Sequence, residues 1–130
     1  VRILLDTNVL IAALIAKGAC AEVVEQCVVN HTIVSSEYIL GELADKLLNK
    51  FRYDETLAEE AITLFRGRAE IVSPDPLSVP ISRDPDDDHV IAAASAARCD
   101  LIVTGDKDLL VLEEYKGIQI ITPRQFLDLP

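Results

Sequence analysis

Along the chain, short apolar runs alternate with longer stretches whose apolar residues recur every three or four positions. Residues 1–5 are almost continuous hydrocarbon and stop at Asp6, as expected of a strand buried on both faces. Similar short runs at 32–35, 70–73, 101–104 and 119–121 predict four more strands. Between them the period predicts helices over 7–16, closed by Gly18, and over 19–29, with a stripe of Val23, Val24, Cys27 and Val28. Ser35 or Ser36 can cap the next helix, which carries Ile39, Leu40, Leu43, Leu47 and Leu48 on one face. A further helix starts near Glu55, where Thr56 and Glu59 have capping-box spacing. Pro74, Pro76, Pro80 and Pro85 keep 73–85 in a loop, and 86–98 is helical again. A short helix over 106–110 and a closing helix with Pro123 in its first turn complete the pattern. Strands separated by helices imply parallel crossovers. The expected fold is therefore α/β, a three-layer α/β/α sandwich around a parallel sheet of four or five strands, in a single domain spanning 1–130.

Composition narrows the classes. Half of the 130 residues are apolar and 5% aromatic, which excludes a disordered or low-complexity chain. The longest apolar run, 9–16, is far shorter than the ~20 residues of a membrane-spanning helix, so no membrane role is expected. Cys20, Cys27 and Cys99 have no C-x-x-C spacing and read as small hydrophobes in a reducing compartment. Val1 opens directly into a strand pattern with no leader ahead of it, and a cytoplasmic location is expected. Lys and Arg total 12 against 22 Asp and Glu, a net charge of −10. Such a surface repels phosphate backbones and suits a basic partner or bound cations.

The placement of the acids says more than their sum. In a parallel sheet ligands gather beyond the carboxyl ends of the strands, near the point where strand order reverses. Asp6 ends the first strand and Asp106 follows the strand at 101–104, so both emerge on one edge; each could also simply cap the helix after it. The run Arg83-Asp84-Pro85-Asp86-Asp87-Asp88-His89 places four carboxylates in five residues. An N-cap and a favourable helix dipole account for Asp84, Asp86 and part of Asp87. Asp88 lies one turn from Asp84 on the face of Ile91 and Ala92 and is expected to point inward. Glu42 falls at the border of an apolar stripe beside Gly41, and spacing alone favours a solvated side chain there. An all-oxygen set of this kind selects Mg²⁺ or Mn²⁺ over zinc, and neither His31 nor His89 has a companion at zinc-site spacing. With no nucleophile elbow, Walker loop or dinucleotide fingerprint, metal-assisted hydrolysis is the chemistry these residues support.

Leu5-Asp6-Thr7-Asn8-Val9-Leu10, Glu42, Asp88-His89-Val90-Ile91-Ala92-Ala93-Ala94 and Val103-Thr104-Gly105-Asp106-Lys107-Asp108-Leu109, in that order, resemble the PIN domain family, closest to the VapC-type toxins of toxin–antitoxin systems and related branches. The resemblance spans nearly the whole chain. It implies a compact α/β/α fold and a Mg²⁺- or Mn²⁺-dependent endoribonuclease with a cognate antitoxin, and by analogy a homodimer. Family metal ligands carry over to Asp6, Glu42, Asp88 and Asp106. Asn8 and Thr104 match positions that orient ligands or water, with Asp84 and Asp108 as accessory acids. Lys46, Lys50, Arg52 and Lys107 are the basic residues available for RNA, although solvated helix ends are the better account of them. Two alternatives stand beside this reading. One is a non-catalytic interaction protein of the same fold. The other is a receiver-type phospho-acceptor domain, disfavoured because only one acid follows the first strand.

Overall fold

The computed structural model describes residues 1–130. Strand β1 (Arg2–Leu5) lies inside a six-stranded sheet, and Ile3, Leu4 and Leu5 are all fully buried. Successive side chains of a strand face opposite ways, so burial of all three means that helices cover both faces. The chain continues through α1 (Thr7–Ile15), α2 (Ala19–Asn30), β2 (Thr32–Ser36), α3 (Glu37–Asn49), α4 (Glu55–Arg66) and β3 (Ala69–Val72). After the proline-rich loop come α5 (Pro85–Ala96), β4 (Leu101–Val103), α6 (Lys107–Leu110), β5 (Glu114–Tyr115), β6 (Ile118–Ile121) and α7 (Pro123–Leu127).

Strand order is β3-β2-β1-β4-β6-β5. Strands β2 and β3 step to one side of β1, whereas β4, β6 and β5 lie on the other, so the order reverses between β1 and β4. All pairings are parallel except β5 with β6. That hairpin is a strand beyond the four or five expected. Lys116 and Gly117, both at positive φ (48° and 87°), turn the chain between Tyr115 and its partner Ile118. Two left-handed residues between paired strands match the twist that a tight hairpin needs.

Several local signals hold. Ser36 caps α3 by accepting from the Ile39 N–H, and Asp84 with Pro85 opens α5. Thr122 and Gln125 form a reciprocal capping box on α7, behind Pro123. Two expectations are corrected. Gly18 is the N-cap of α2, while α1 closes at Ala16. The cap of α4 is Asp54, whose carboxylate accepts from the Leu57 N–H at 2.7 Å, two residues ahead of the Thr56–Glu59 spacing.

One core of 26 buried residues joins the strands to α1, α2, α3 and α5. Cys27 and Cys99 are part of it, and burial pushes their thiols up to about 11 and about 12. They behave as hydrophobes, as their spacing suggested. No single helix is long and apolar enough to cross a membrane.

Candidate metal centre

The register of β1 against β4 builds the first half of the site. Leu5 lies opposite Val103, and the Asp6 N–H donates to the Val103 carbonyl at 3.0 Å. The next residues, Asp6 and Thr104, therefore leave the sheet side by side at the reversal point. Thr104, fully buried, donates its Oγ1 hydrogen to Asp6 Oδ2 at 2.7 Å and accepts from the Asp106 N–H at 3.0 Å. Asp6 also accepts from the Thr7 N–H (2.8 Å) and from Asn8 Nδ2 (3.2 Å). Asn8 Oδ1 in turn accepts from the Gly105 N–H (3.1 Å), tying the β1 exit to the β4 exit. Asp106 caps α6 by accepting from the Asp108 N–H at 2.9 Å. Both acids thus cap the helix that follows them and also line one cleft.

Helix α5 supplies the third side, with a correction. Asp87 occupies the inward place expected of Asp88. Asp87 is only 5% exposed, lines the cleft with Asp6 and Asp106, and lies within hydrogen-bonding reach of Asp106. It shares its helix face with Val90, Ile91 and Ala94, at three, four and seven residues' separation. Asp88 turns about 100° further round the helix, as one residue's step requires. There its carboxylate accepts the N–H groups of Ile81 (3.2 Å) and Ser82 (2.8 Å). It anchors the proline-rich loop. Ser82, so placed, donates its hydroxyl to Asp87 Oδ2 (3.1 Å) and accepts from the Asp84 N–H (3.2 Å).

Helix α3 closes the cleft. Glu42 is half-buried, and its Oε1 accepts the Thr7 hydroxyl at 3.0 Å, so the solvated reading gives way to an inward one. Lys46, one turn on, also lines the cleft, whereas Lys50, Arg52 and Lys107 are exposed and outside it. The cleft has a volume of about 140 Å³, and six carboxylates face it: Asp6, Glu42, Asp84, Asp86, Asp87 and Asp106. Asp108 stands just beyond. Carboxylate oxygens of Asp84, Asp87 and Asp108 lie within 4.8 Å of one another, and Arg83 pairs with Asp108 Oδ1 at 3.1 Å. Spacing missed Asp86, Asp87, Thr7 and Ser82. No periodicity singled out Asp87, because Val90 to Ala94 are buried all round α5.

The electrostatics follow from crowding. Burial raises the Asp6 carboxyl above its ordinary range, against the hydrogen bonds from Thr104 and Thr7. Glu42 is raised by burial as well, against the Thr7 hydroxyl and Lys46. Asp87 is pushed up to about 7 by burial first, then by its hydrogen bond with Asp106 and the charges of Asp106 and Asp84. One ammonium, Lys46, cannot offset this density of negative charge. The donors are all oxygen, come from four elements and are held by hydrogen bonds from Thr7, Asn8, Ser82 and Thr104. That set fits a hard divalent cation such as Mg²⁺ or Mn²⁺.

The model of the PIN domain family matches residues 2–108, which include every side chain lining the cleft. The chain belongs to the PIN domain family. Membership removes the phospho-acceptor alternative. This PIN domain is 29% identical to an uncharacterized protein from Methanocaldococcus jannaschii, over 98% of this chain and 90% of that protein. Two solved structures share its fold. One is VapBC2 from Rickettsia felis, bound to a DNA fragment from its promoter (TM-score 0.66, 16% identity, 94% of this chain and 98% of the other). The other is VapBC-1 from nontypeable Haemophilus influenzae (TM-score 0.67, 18% identity, 95% and 99%).

Proposed function

We propose that this PIN domain is a divalent-cation-dependent endoribonuclease and the toxin of a toxin–antitoxin pair. The observation that carries the proposal is the convergence of buried Asp6 and Asp87 with half-buried Asp106 and Glu42 at the β1/β4 reversal point. Asp6, Asp87, Asp106 and Glu42 would hold the cation, with Asp84 and Asp108 as accessory acids. Such a cation supplies positive charge at the phosphoryl group being cleaved and a lowered pKa for the attacking water.

The residues themselves contribute position. Thr104 and Asn8 both donate to Asp6 Oδ2 and the Thr7 N–H donates to Oδ1, so three neutral hydrogen bonds fix the carboxylate without neutralising its charge. Thr7 holds Glu42 at Oε1, which keeps that carboxylate turned into the cleft. Asp88 acts at one remove: it holds Ser82, and Ser82 holds Asp87. Lys46 is the cleft's cation and the natural contact for a phosphate oxygen.

The antitoxin is proposed on two supports. Both fold relatives are VapBC proteins. This chain also carries an apolar groove of about 270 Å³ across α1, α2 and α4, floored by Leu10, Val24 and Phe65 and edged by Leu14 and Leu64, which are 45% and 63% exposed. A partner segment with one apolar face and basic flanks would suit both that groove and the net charge of −10. A homodimer through the outer faces of α3 and α4 belongs to the same proposal.

The decisive experiment is cleavage of RNA by antitoxin-free protein in Mn²⁺ or Mg²⁺, with an EDTA control. Wild type should cut. Asp6→Asn and Asp106→Asn should each lose at least ~100-fold in rate while keeping wild-type circular dichroism. Full activity in both variants would overturn the site. Absent or cation-independent cutting would favour a non-catalytic interaction protein.

A further inference from the structure

The chain has six Phe and Tyr residues. Phe126 is in the core, and Phe51, Tyr53, Phe65 and Tyr115 pack against it. Tyr38 alone does not. It stands in the first turn of α3, and its ring stacks on that of His89 from α5, with centroids 4.0 Å apart and planes 14° from parallel. His89 is exposed and Tyr38 half-buried. Neither ring lines the acidic cleft, but each comes from a helix that does. Tyr38, Glu42 and Lys46 follow one another at four-residue spacing along one face of α3, and the latter two line the cleft. His89 comes two and three residues after Asp87 and Asp86, which line it from α5. Burial first, and then the charges of Glu42, Asp86 and Asp84, raise the pKa of the Tyr38 phenol.

A ribonuclease with this charge has a binding problem. Six carboxylates and one ammonium face the cleft, and the whole chain carries −10. Phosphate attraction, which supplies most of the affinity of ordinary nucleic-acid proteins, is weak here. An uncharged handle is required. Stacking of a base on an aromatic ring is such a handle, worth about 1–3 kcal/mol per base and indifferent to net charge. It also demands an unpaired base, because in a duplex both faces are already covered.

We infer that the Tyr38–His89 stack is a platform on which an unpaired RNA base next to the cleaved phosphate extends the ring column. His89 offers the outer face, and Tyr38 supports it from below. Both are positioning residues. The inference rests on the ribonuclease reading of the cleft.

The test measures binding separately from cutting. A single-stranded RNA with one 2-aminopurine is titrated in Mn²⁺ against protein carrying Asp106→Asn, to keep the RNA whole, with and without His89→Ala. With the platform, 2-aminopurine fluorescence is quenched, and His89→Ala weakens binding by about 5- to 100-fold, the tenfold-per-1.4 kcal/mol equivalent of one stacked base. His89→Phe restores both. An abasic nucleotide at the stacking position weakens binding to the parent protein by the same factor and makes His89→Ala silent, whereas Mn²⁺ affinity and Tm do not move. A purely structural stack would shift Tm and ignore the abasic site. Equal affinity and equal quenching with and without His89→Ala would overturn the platform. His89-dependent binding in a protein whose wild type cuts nothing would sink the nuclease and keep the platform. Cutting with KM and kcat unchanged by His89→Ala would do the reverse.

Discussion

Adjacent aspartates on α5 have unlike surroundings, and their substitution should have opposite signs. Asp88 is satisfied by two backbone N–H groups of the loop, so Asp88→Ala should leave those donors unpaired and lower stability by about 1–3 kcal/mol. Asp87 is buried among like charges and raised to about 7. From its ordinary 3.8 up to about 7, the cation-free folded protein holds a proton on Asp87 that the unfolded chain has lost. The stability this confers is complete below the lower value and disappears as pH rises through the upper one. Asp87→Asn should therefore remove cleavage and, in EDTA at pH 8, raise Tm by several degrees, on the order of 1 kcal/mol, with the gain shrinking toward pH 4. Thermal melts of the two variants across pH check both signs; parallel pH profiles for wild type and Asp87→Asn would contradict the assignment. The sequence could not separate these neighbours because Val90, Ile91, Ala92, Ala93 and Ala94 are all buried. A helix apolar on every side has no phase to read. Asp6 and Asp106 were legible because a strand end fixes direction, and Glu42 became inward only through the Thr7 hydroxyl, a contact 35 residues away in sequence.

At the level of elements, the strand–helix alternation was readable because each strand is a short hydrocarbon run between polar stops. The exceptions have local causes. Strand β5 is two residues, Glu114 and Tyr115, with neither an apolar run nor an alternation long enough to register. Its only trace in the sequence is the Lys116–Gly117 turn. Helix α4 has two candidate caps, and the structure separates them: Asp54 accepts from the Leu57 N–H, so Asp54→Ala should cost about 1 kcal/mol, whereas Thr56→Ala should cost a few tenths. Denaturant melts of the two variants give the comparison, and an equal loss in both would restore the capping-box reading. The loop at 73–85 is another case. Its prolines announced irregular backbone, but not that Ser82 would be buried and bonded into the acidic cleft.

For the whole molecule, the crowded carboxylates would make the proposed cation a source of stability as well as chemistry. A ligand that binds only the folded chain stabilises it by about 2.7 kcal/mol at a hundred times its Kd. Mn²⁺ should thus raise the Tm of wild type, EDTA should reverse the gain, and Asp6→Asn combined with Asp106→Asn should abolish it. A thermal midpoint indifferent to Mn²⁺ in wild type would count against a cation site. The sheet order adds a constraint in time. The cleft is assembled from the exit of the first strand and the exit of the fourth, joined through Thr104, with Asp6 and Asp106 lying near opposite ends of the chain. During synthesis, a growing polypeptide that has not yet delivered residue 106 beyond the ribosome owns none of the finished pocket. A fragment ending anywhere upstream of that residue lacks the joint between the two strand exits, so completion of the pocket waits on the last quarter of the chain.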